Sequence, residues 1–299
     1  MSDQPALRFK DRLSILLLRC FSTLPLGFLR RFGALVGRLA ASTGNGTRRT
    51  VATNLALCFP DQDAAWRARV TRDSLVSTGM TAMEFAKTWG MPTAYSIDRI
   101  RRVHNEQLLH DYLAEGKGLI GIIPHWGTWE FMNAWMNQHT HPVIMYKPGK
   151  QPGVDAFVAE ARGRLRATVV PTDDSGVRAT FKALKQGGFT AILPDHIPGP
   201  QGGVFAPFFG IDTWTGVMVP KLASRTGCRV IIMGCVRQGD GFDIHFLPGD
   251  PDIGHADTAL GAAAMNRSME RLIRLAPEQY QWTYKRFKKN ASLADPYRR

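Results

Sequence analysis

Several signatures that identify well-known protein classes are missing from this chain of 299 residues. It has four cysteines, with neither CxxC spacing nor a paired framework, and no cluster of zinc-type ligands. We therefore expect reduced cysteines in a cytoplasmic setting and no metal site. No GxSxG elbow or catalytic cysteine motif is present. The motifs therefore do not indicate a nucleophilic side chain, and we expect the attacking group to come from the substrate.

A long uninterrupted apolar run is also missing. The most apolar early stretch, residues 13–29, contains Arg19 and Pro25. A central arginine costs roughly 2.5–3.5 kcal/mol in a spanning helix, so this stretch is a poor transmembrane span. We expect a helix that lies at a membrane interface, with Arg12, Arg19 and Arg30 on one stripe if the helical phase continues through Pro25. An ordinary core helix with a charged edge is the alternative.

Positive charge is concentrated at the two ends of the chain. The net charge is +13; residues 1–50 contain 9 basic and 2 acidic residues, and residues 279–299 contain 6 and 1. Basic ends suit an anionic membrane surface, an acidic carrier protein or nucleic acid, although they can also be simple solvated surfaces. The run KRFKK at 285–289 follows two aromatic residues and suits a membrane surface. Because no nucleic-acid fold signature accompanies it, we expect no nucleic-acid partner.

The pattern of apolar residues predicts an α/β protein. Residues 64–90 have helical spacing, and from residue 118 short β-prone runs alternate with segments long enough for helices, which predicts a mostly parallel central sheet covered by helices. The predicted domains are a helical membrane-associating segment at 1–45 and a single α/β domain at 46–299. The predicted strands lie at 118–124, 141–146, 167–171, 189–194, 229–236 and 242–248, and the later helices at 131–137, 154–165, 176–186, 217–226 and 257–275.

The most informative segment is GLIGIIPHWGTWE, residues 118–130, in which an apolar strand ends at Pro124 and is followed by His125 and Glu130. On a continuous helix these two side chains would lie about 140° apart, so they can meet only across a bend, which Pro124 and Gly127 can supply. We predict that His125 is a general base and that the Glu130 carboxylate holds its imidazole in the right tautomer. A purely structural histidine–carboxylate pair is the alternative.

Five long blocks, in order along the chain, resemble the bacterial lipid A secondary acyltransferase family, which transfers lauroyl or myristoyl groups. The family's HxxxxD/E motif is matched by His125 and Glu130. The five blocks are RRTVATNLALCFPD (48–61), PHWGTWE (124–130), YKPGKQPGVDAFVAEARGRLR (146–166), LPDHIPGPQGGVFAPFFG (193–210) and PEQYQWTYKRFK (277–288).

This resemblance implies that His125 and Glu130 form the catalytic pair of an O-acyltransferase. It implies an acyl carrier protein thioester, or acyl-CoA, as donor and a hydroxyl of a lipid A precursor as acceptor. The phosphopantetheine arm arrives with the donor, so no cofactor of the protein itself is expected. The implied fold is like that of glycerol-3-phosphate acyltransferases, and the implied location is the cytoplasmic face of the inner membrane.

Further site residues are suggested by the same blocks. Arg162 and Arg164 match basic positions and Asp195 matches an acidic position of the family. A guanidinium at these positions can bind substrate phosphate or stabilise an oxyanion. For that role we expect Arg162 before Arg164, and Arg164 before Arg166. The alternative is that these arginines lie on a solvated helix face. Asp195 follows another predicted strand and can help to place a substrate phosphate, or simply cap a turn. The residues expected to wall an acyl or acceptor groove are Trp126, Phe205 and Phe208.

Two other functions remain open at this stage. Distant members of the family acylate other glycolipids, such as a phosphatidylinositol mannoside, so the acceptor can differ. A non-catalytic membrane-docking protein that kept the fold is the alternative of another class, and substitution of His125 distinguishes it. Acyl-chain length and the acylated position depend on pocket depth, which the residue pattern does not determine.

Overall fold

The computed structural model describes residues 8–146, 149 and 151–298. Lys147, Pro148 and Lys150 lie outside the described residues. They belong to the block at residues 146–166 that resembles the acyltransferase family. The helices are α1 (Phe9–Thr23), α2 (Leu26–Ser42), α3 (Gly46–Cys58), α4 (Ala64–Gly90), α5 (Thr93–Asp98), α6 (Glu106–Ala114), α7 (Glu130–His139), α8 (Pro152–Gly163), α9 (Asp174–Lys185), α10 (Met218–Thr226) and α11 (Thr258–Ile273). The strands are β1 (Ile100–His104), β2 (Leu119–Ile122), β3 (Pro142–Tyr146), β4 (Thr168–Pro171), β5 (Phe189–Ile192), β6 (Gly203–Phe208), β7 (Ile211–Gly216), β8 (Arg229–Gln238) and β9 (Gly241–Pro248).

Seven strands form one sheet in the order β1-β9-β8-β2-β5-β3-β4. All neighbouring pairs are parallel except β8 and β9, which are antiparallel. The predicted mostly parallel sheet is therefore confirmed. All four residues of β2 are buried at the centre of this sheet, as expected for a parallel strand that helices cover on both faces. The carboxyl ends of β2 and its neighbour β5 consequently share one edge of the sheet.

Strand β1 was not predicted, because its residues read IRRVH and its two arginines are exposed. It is an edge strand, paired only with β9 among the described strands, where charged side chains are common. The hairpin of β6 and β7 was not predicted either; it forms a separate two-stranded sheet. Pro207 in β6, and the polar residues Asp212, Thr213 and Thr215 in β7, conceal these two strands in the sequence.

Helices α2 and α4 pack with their backbones in contact. A Cβ atom on Gly33 would lie 2.4 Å from the carbonyl oxygen of Gly79, and one on Gly37 would lie 2.5 Å from that of Leu75. Only glycine allows so close an approach. The N-terminal helices are thereby held against α4, which in turn reaches the loop after β2.

The chain direction bends by 118° between α1 and α2. The helical phase therefore does not continue through Pro25. This bend corrects the predicted arginine stripe: Arg12 and Arg19 are exposed, whereas Arg30 is buried and pairs with Glu84. Among the described helices none is by itself both long and apolar enough to cross a membrane. Helices α1 and α2 together have the length and the apolar composition for it, but only as a bent pair.

Candidate active site

The site lies at the sheet edge where β2 and β5 end. Ile122 of β2 is paired with Ile192 of β5, and the third residue after each is His125 and Asp195, respectively. Parallel pairing carries the two chains out of the sheet side by side, so residues at equal distances beyond the paired isoleucines arrive together. Such strand ends are the usual position of ligand sites in α/β proteins.

Asp195 holds His125 at two points. Its Oδ1 atom lies 2.8 Å from His125 Nδ1, and its Oδ2 atom accepts the backbone N–H of His125 at 2.8 Å. Burial raises the pKa of the Asp195 carboxyl, but the charge and hydrogen bonds of His125, with a contribution from His196, outweigh it and leave this pKa below its usual value. An ionised Asp195 must accept from Nδ1–H, which leaves the Nε2 lone pair of a neutral His125 ring available as a base.

The loop that carries His125 is clamped on both sides. Gly127 has φ +67°, and a Cβ atom there would lie 2.0 Å from the carbonyl oxygen of Cys235 on β8. The Thr128 N–H donates to the same oxygen at 2.7 Å, and the Gln281 N–H donates to the carbonyl oxygen of His125 at 2.9 Å. Glycine is therefore required at 127, and the loop runs between β8 and the C-terminal segment.

The buried carboxylate of Glu84 also holds this loop in place. Glu84 of α4 has no solvent exposure. Its Oε2 atom accepts the hydroxyl of Thr128 at 2.5 Å and pairs with Arg237 Nη1 at 2.5 Å, while Oε1 pairs with Arg30 Nε at 2.6 Å. One buried group thus joins α2, α4, β8 and the loop that carries His125. The sequence alone did not reveal it, because its partners lie far apart in the chain.

Glu130 faces a different partner from the predicted one. As the first residue of α7, it accepts from Arg162 Nη2 at 2.9 Å and from Asn133 Nδ2 at 2.9 Å. The prediction that the Glu130 carboxylate holds the His125 imidazole is therefore wrong: Asp195 does so. The bend at Gly127 was predicted correctly, but it turns the start of α7 so that Glu130 points to α8.

Of the cavities that adjoin these residues, two border Trp129. One, of about 150 Å³, is lined by His125, Trp129, Phe85 and Tyr280 together with small polar residues of α4. The other, of about 90 Å³, is lined by Glu130, Arg162 and mainly apolar residues of β3, β4 and β5. Trp129 borders both cavities, and its ring meets the ring of His125 edge to face at 4.8 Å.

The predicted arginines separate in the structure. Helix α8 ends at Gly163, so only Arg162 lies on it; Arg164 caps the helix and Arg166 follows it. Arg164 donates to the carbonyl oxygen of Trp89. Arg164 and Arg166 both line an open cavity of about 210 Å³ beside α5 and α7, outside the two described above. Arg164 also lines a small cavity of about 20 Å³ together with Arg162 and Glu130.

The predicted groove residues also separate. Trp126 and Phe208 are fully buried, and Trp126 donates its indole N–H to the carbonyl oxygen of Ala276 at 2.9 Å. These two residues belong to the core, so the prediction that they wall a groove is wrong. Phe205 is 42% exposed on β6, where it packs against Trp214.

One group among the described residues brings possible metal ligands together: His104, Asp243 and His245, whose candidate atoms lie within 4.8 Å of one another. His104 Nε2 lies 2.9 Å from Asp243 Oδ2. The rings of His104 and His245 are stacked, with centroids 4.2 Å apart and planes 13° apart. A metal ion lies close to the plane of each imidazole that binds it, so these two rings would have to rotate before both could hold one ion.

Thiol nucleophiles are disfavoured near the site. Cys235, whose carbonyl anchors the loop, is fully buried, and burial raises the pKa of its thiol well above the usual value. Burial also raises the pKa of the Cys58 thiol. Since the thiolate is the reactive form, neither side chain is suited to attack a substrate.

Comparisons with known proteins show the family to which the chain belongs. The family described as bacterial lipid A biosynthesis acyltransferase matches residues 6–289. The lipid A biosynthesis lauroyltransferase of Escherichia coli (strain K12) is 30% identical over 272 residues, which cover 89% of this chain and 87% of that protein. The palmitoleoyltransferase of the same strain is 28% identical over 89% of this chain and 86% of its own. The lipid A biosynthesis myristoyltransferase of that strain is 24% identical, and the match covers 89% of this chain and 83% of that protein. The chain therefore belongs to the bacterial lipid A biosynthesis acyltransferase family and is an O-acyltransferase.

Proposed function

We propose that the protein transfers a fatty-acyl chain from an acyl carrier protein thioester to a hydroxyl of a lipid A precursor, with His125 as general base. The observation that carries this proposal is the two-point hold of Asp195 on His125. It gives the imidazole one tautomer and leaves Nε2 as its free nitrogen. The ring is partly exposed, with 16% of its side-chain surface accessible, and it lines a cavity.

The reaction needs no covalent acyl-enzyme. His125 Nε2 takes the proton of the acceptor hydroxyl while the oxygen attacks the thioester carbonyl carbon. Asp195 stabilises the imidazolium that forms. The tetrahedral intermediate then collapses, the C–S bond breaks, and the leaving thiolate takes the proton from the imidazolium. The ring is thereby restored for the next cycle.

Arg162 is proposed to stabilise the oxyanion, or a phosphate of the substrate, with Glu130 as its positioning residue. The Arg162 guanidinium is fixed between Glu130 and the face of Tyr146, 4.8 Å from the ring centroid. It lines the smaller cavity, whose other walls are mainly apolar. A cation held in such surroundings acts more strongly on a developing negative charge than one in water. Glu130 thus keeps an essential role through Arg162, not through His125.

A membrane surface is the proposed working location, at the cytoplasmic face of the inner membrane. Exposed basic residues border the apolar surface of α1 and α2, among them Lys10, Arg12, Arg31 and Arg38. Apolar contact together with attraction to anionic headgroups suits a helix pair that lies in the interface. The large apolar side chains exposed on these two helices are Phe9, Leu13, Leu16, Leu17, Phe28, Phe32, Leu35, Val36 and Leu39.

Purified protein tests the donor and acceptor together. Labelled acyl carrier protein thioesters of several chain lengths, and the matching acyl-CoA compounds, are offered with a tetra-acylated lipid A precursor or with a phosphatidylinositol mannoside. We expect transfer to the lipid A precursor from the carrier-bound donor, and no gain in protein mass when the donor is given alone. Transfer only to the other glycolipid, or a stable acyl-protein adduct, would contradict the proposal.

A further inference from the structure

A stack of three aromatic rings extends from the candidate base. The rings of His125 and His196 lie flat on each other, with centroids 4.0 Å apart and planes 1° apart. The ring of Tyr284 lies 3.9 Å from that of His196 at 17°. Two nearly parallel rings at such distances must occupy the two faces of His196. The middle ring is therefore held on both sides.

Hydrogen bonds also hold the rings of this stack in position. His196 Nε2 lies 2.9 Å from Gln281 Oε1, and the backbone N–H of Gln281 donates to the carbonyl oxygen of His125. The hydroxyl of Tyr284 accepts the N–H of Ile197 at 3.0 Å. The C-terminal segment thus holds His196 through Gln281 and Tyr284 while His196 covers one face of His125.

The charges around His196 favour its neutral form. Burial lowers its pKa, and the charges of His125 and Arg286 lower it further, against Asp195 and the hydrogen bond to Gln281, which raise it. Tyr284 is a further titratable group that faces it. A neutral ring can lie against the imidazolium of His125 without repulsion, whereas a charged one would oppose its formation.

We propose that His196 is a positioning residue that fixes the tilt of the His125 imidazole through this flat contact. A single ring hydrogen bond, from Nδ1 to Asp195, still permits the ring to rock about its Cβ–Cγ bond. The stacked ring of His196 restricts this motion and holds the His125 ring where it lines the 150 Å³ cavity. The inference rests on the proposed role of His125 as base.

The substitutions His196→Ala, His196→Phe and His196→Leu separate a planar contact from simple volume. His196→Phe keeps a flat ring, so we expect kcat within about threefold of the parent. His196→Ala and His196→Leu lose the flat face, so we expect kcat to fall about 10- to 100-fold with KM changed by less than about threefold.

Matched variants keep the outcomes distinct. His255→Ala alters an exposed histidine and should leave activity unchanged. Comparison of His196→Leu with His196→Phe decides the question even if His196→Ala does not fold. Full activity of the leucine variant, a change in KM alone, or failure of phenylalanine to restore kcat in a normally folded protein would overturn the inference. If His125→Ala is active in the same assay, the proposed function fails; if it is inactive while His196→Leu is fully active, only this inference fails.

Discussion

His125 and Asp195 are hydrogen-bonded at 2.8 Å although 70 residues separate them in the chain. Their meeting follows from the register of two parallel strands, because each lies three residues beyond one member of the pair Ile122–Ile192. The carboxylate that holds the His125 ring is therefore supplied by the neighbouring strand end and not by the helix that follows His125.

Asp195→Asn should lower kcat about 10³- to 10⁴-fold with little change in KM. An asparagine can keep the geometry, but its amide neither stabilises the imidazolium nor imposes the Nδ1–H tautomer. Steady-state transfer to the lipid A precursor measures the effect. Asp212→Asn, at an exposed aspartate of β7, is the control and should behave as the parent. Equal kcat values for the two variants would contradict the assigned partnership.

Glu130 and Arg162 should behave as one unit. Glu130→Gln and Arg162→Gln are each expected to lower kcat about 10- to 100-fold, and the double variant should be no worse than the poorer single variant, since each removes the same interaction. A double-mutant cycle on kcat/KM measures this coupling. Effects that simply add would indicate separate roles, including a direct role of Glu130 at His125. Glu160→Gln, at an exposed acidic residue, is the control.

Much of the fold was predictable from the residue pattern, and the site was predictable only in part. The apolar runs that became β2, β3, β5 and β8 were recognised because covered parallel strands are apolar throughout. The pairing of Asp195 with His125 had a signal that was not used: both follow an apolar strand and a proline, and adjacent parallel strands end together. The partner of Glu130 had no such signal, because spacing along a chain does not determine which way the first residue of a helix points.

Removal of the Glu84 charge should destabilise the whole protein. Glu84→Gln leaves two arginines, Arg30 and Arg237, in buried positions without their carboxylate, and breaking a buried ion pair typically costs about 3–5 kcal/mol. Chemical denaturation measures the free energy of unfolding. Glu160→Gln breaks an exposed pair with Arg19 and should change it by less than about 1 kcal/mol. Similar losses in both variants would contradict the bracing role of Glu84.

Acid should weaken the fold below a pH of about 6.5, the ordinary histidine value. Burial lowers the pKa of His196, His139 and His245, so the unfolded chain binds more protons than the folded one as the pH falls through this range. Burial raises the pKa of Glu270, which acts in the opposite direction at lower pH. Thermal unfolding at pH 5.5 to 7.5 should show a smaller fall in Tm for His245→Phe than for the parent. An identical fall would contradict the assigned burial effect at this histidine.

The apolar surface of α1 and α2 should govern membrane binding. Leu16→Glu combined with Leu35→Glu places two charges where we expect acyl chains, so binding to anionic vesicles should fall at least about tenfold. Vesicle flotation measures this. Leu260 of α11 is as exposed as Leu35, at 51%, and Leu260→Glu should have no effect on flotation. Equal loss in the two cases would show that binding depends on general charge and not on this surface.

The role of His125 as the base is tested most directly by the rate of a single turnover. His125→Ala is compared with the parent at saturating carrier-bound donor and lipid A precursor, which isolates acyl transfer from substrate binding. Loss of a general base typically costs 10²- to 10⁴-fold, and we expect the transfer rate to fall by roughly that factor. A rate within about tenfold of the parent, in a variant that folds and binds both substrates, would contradict it.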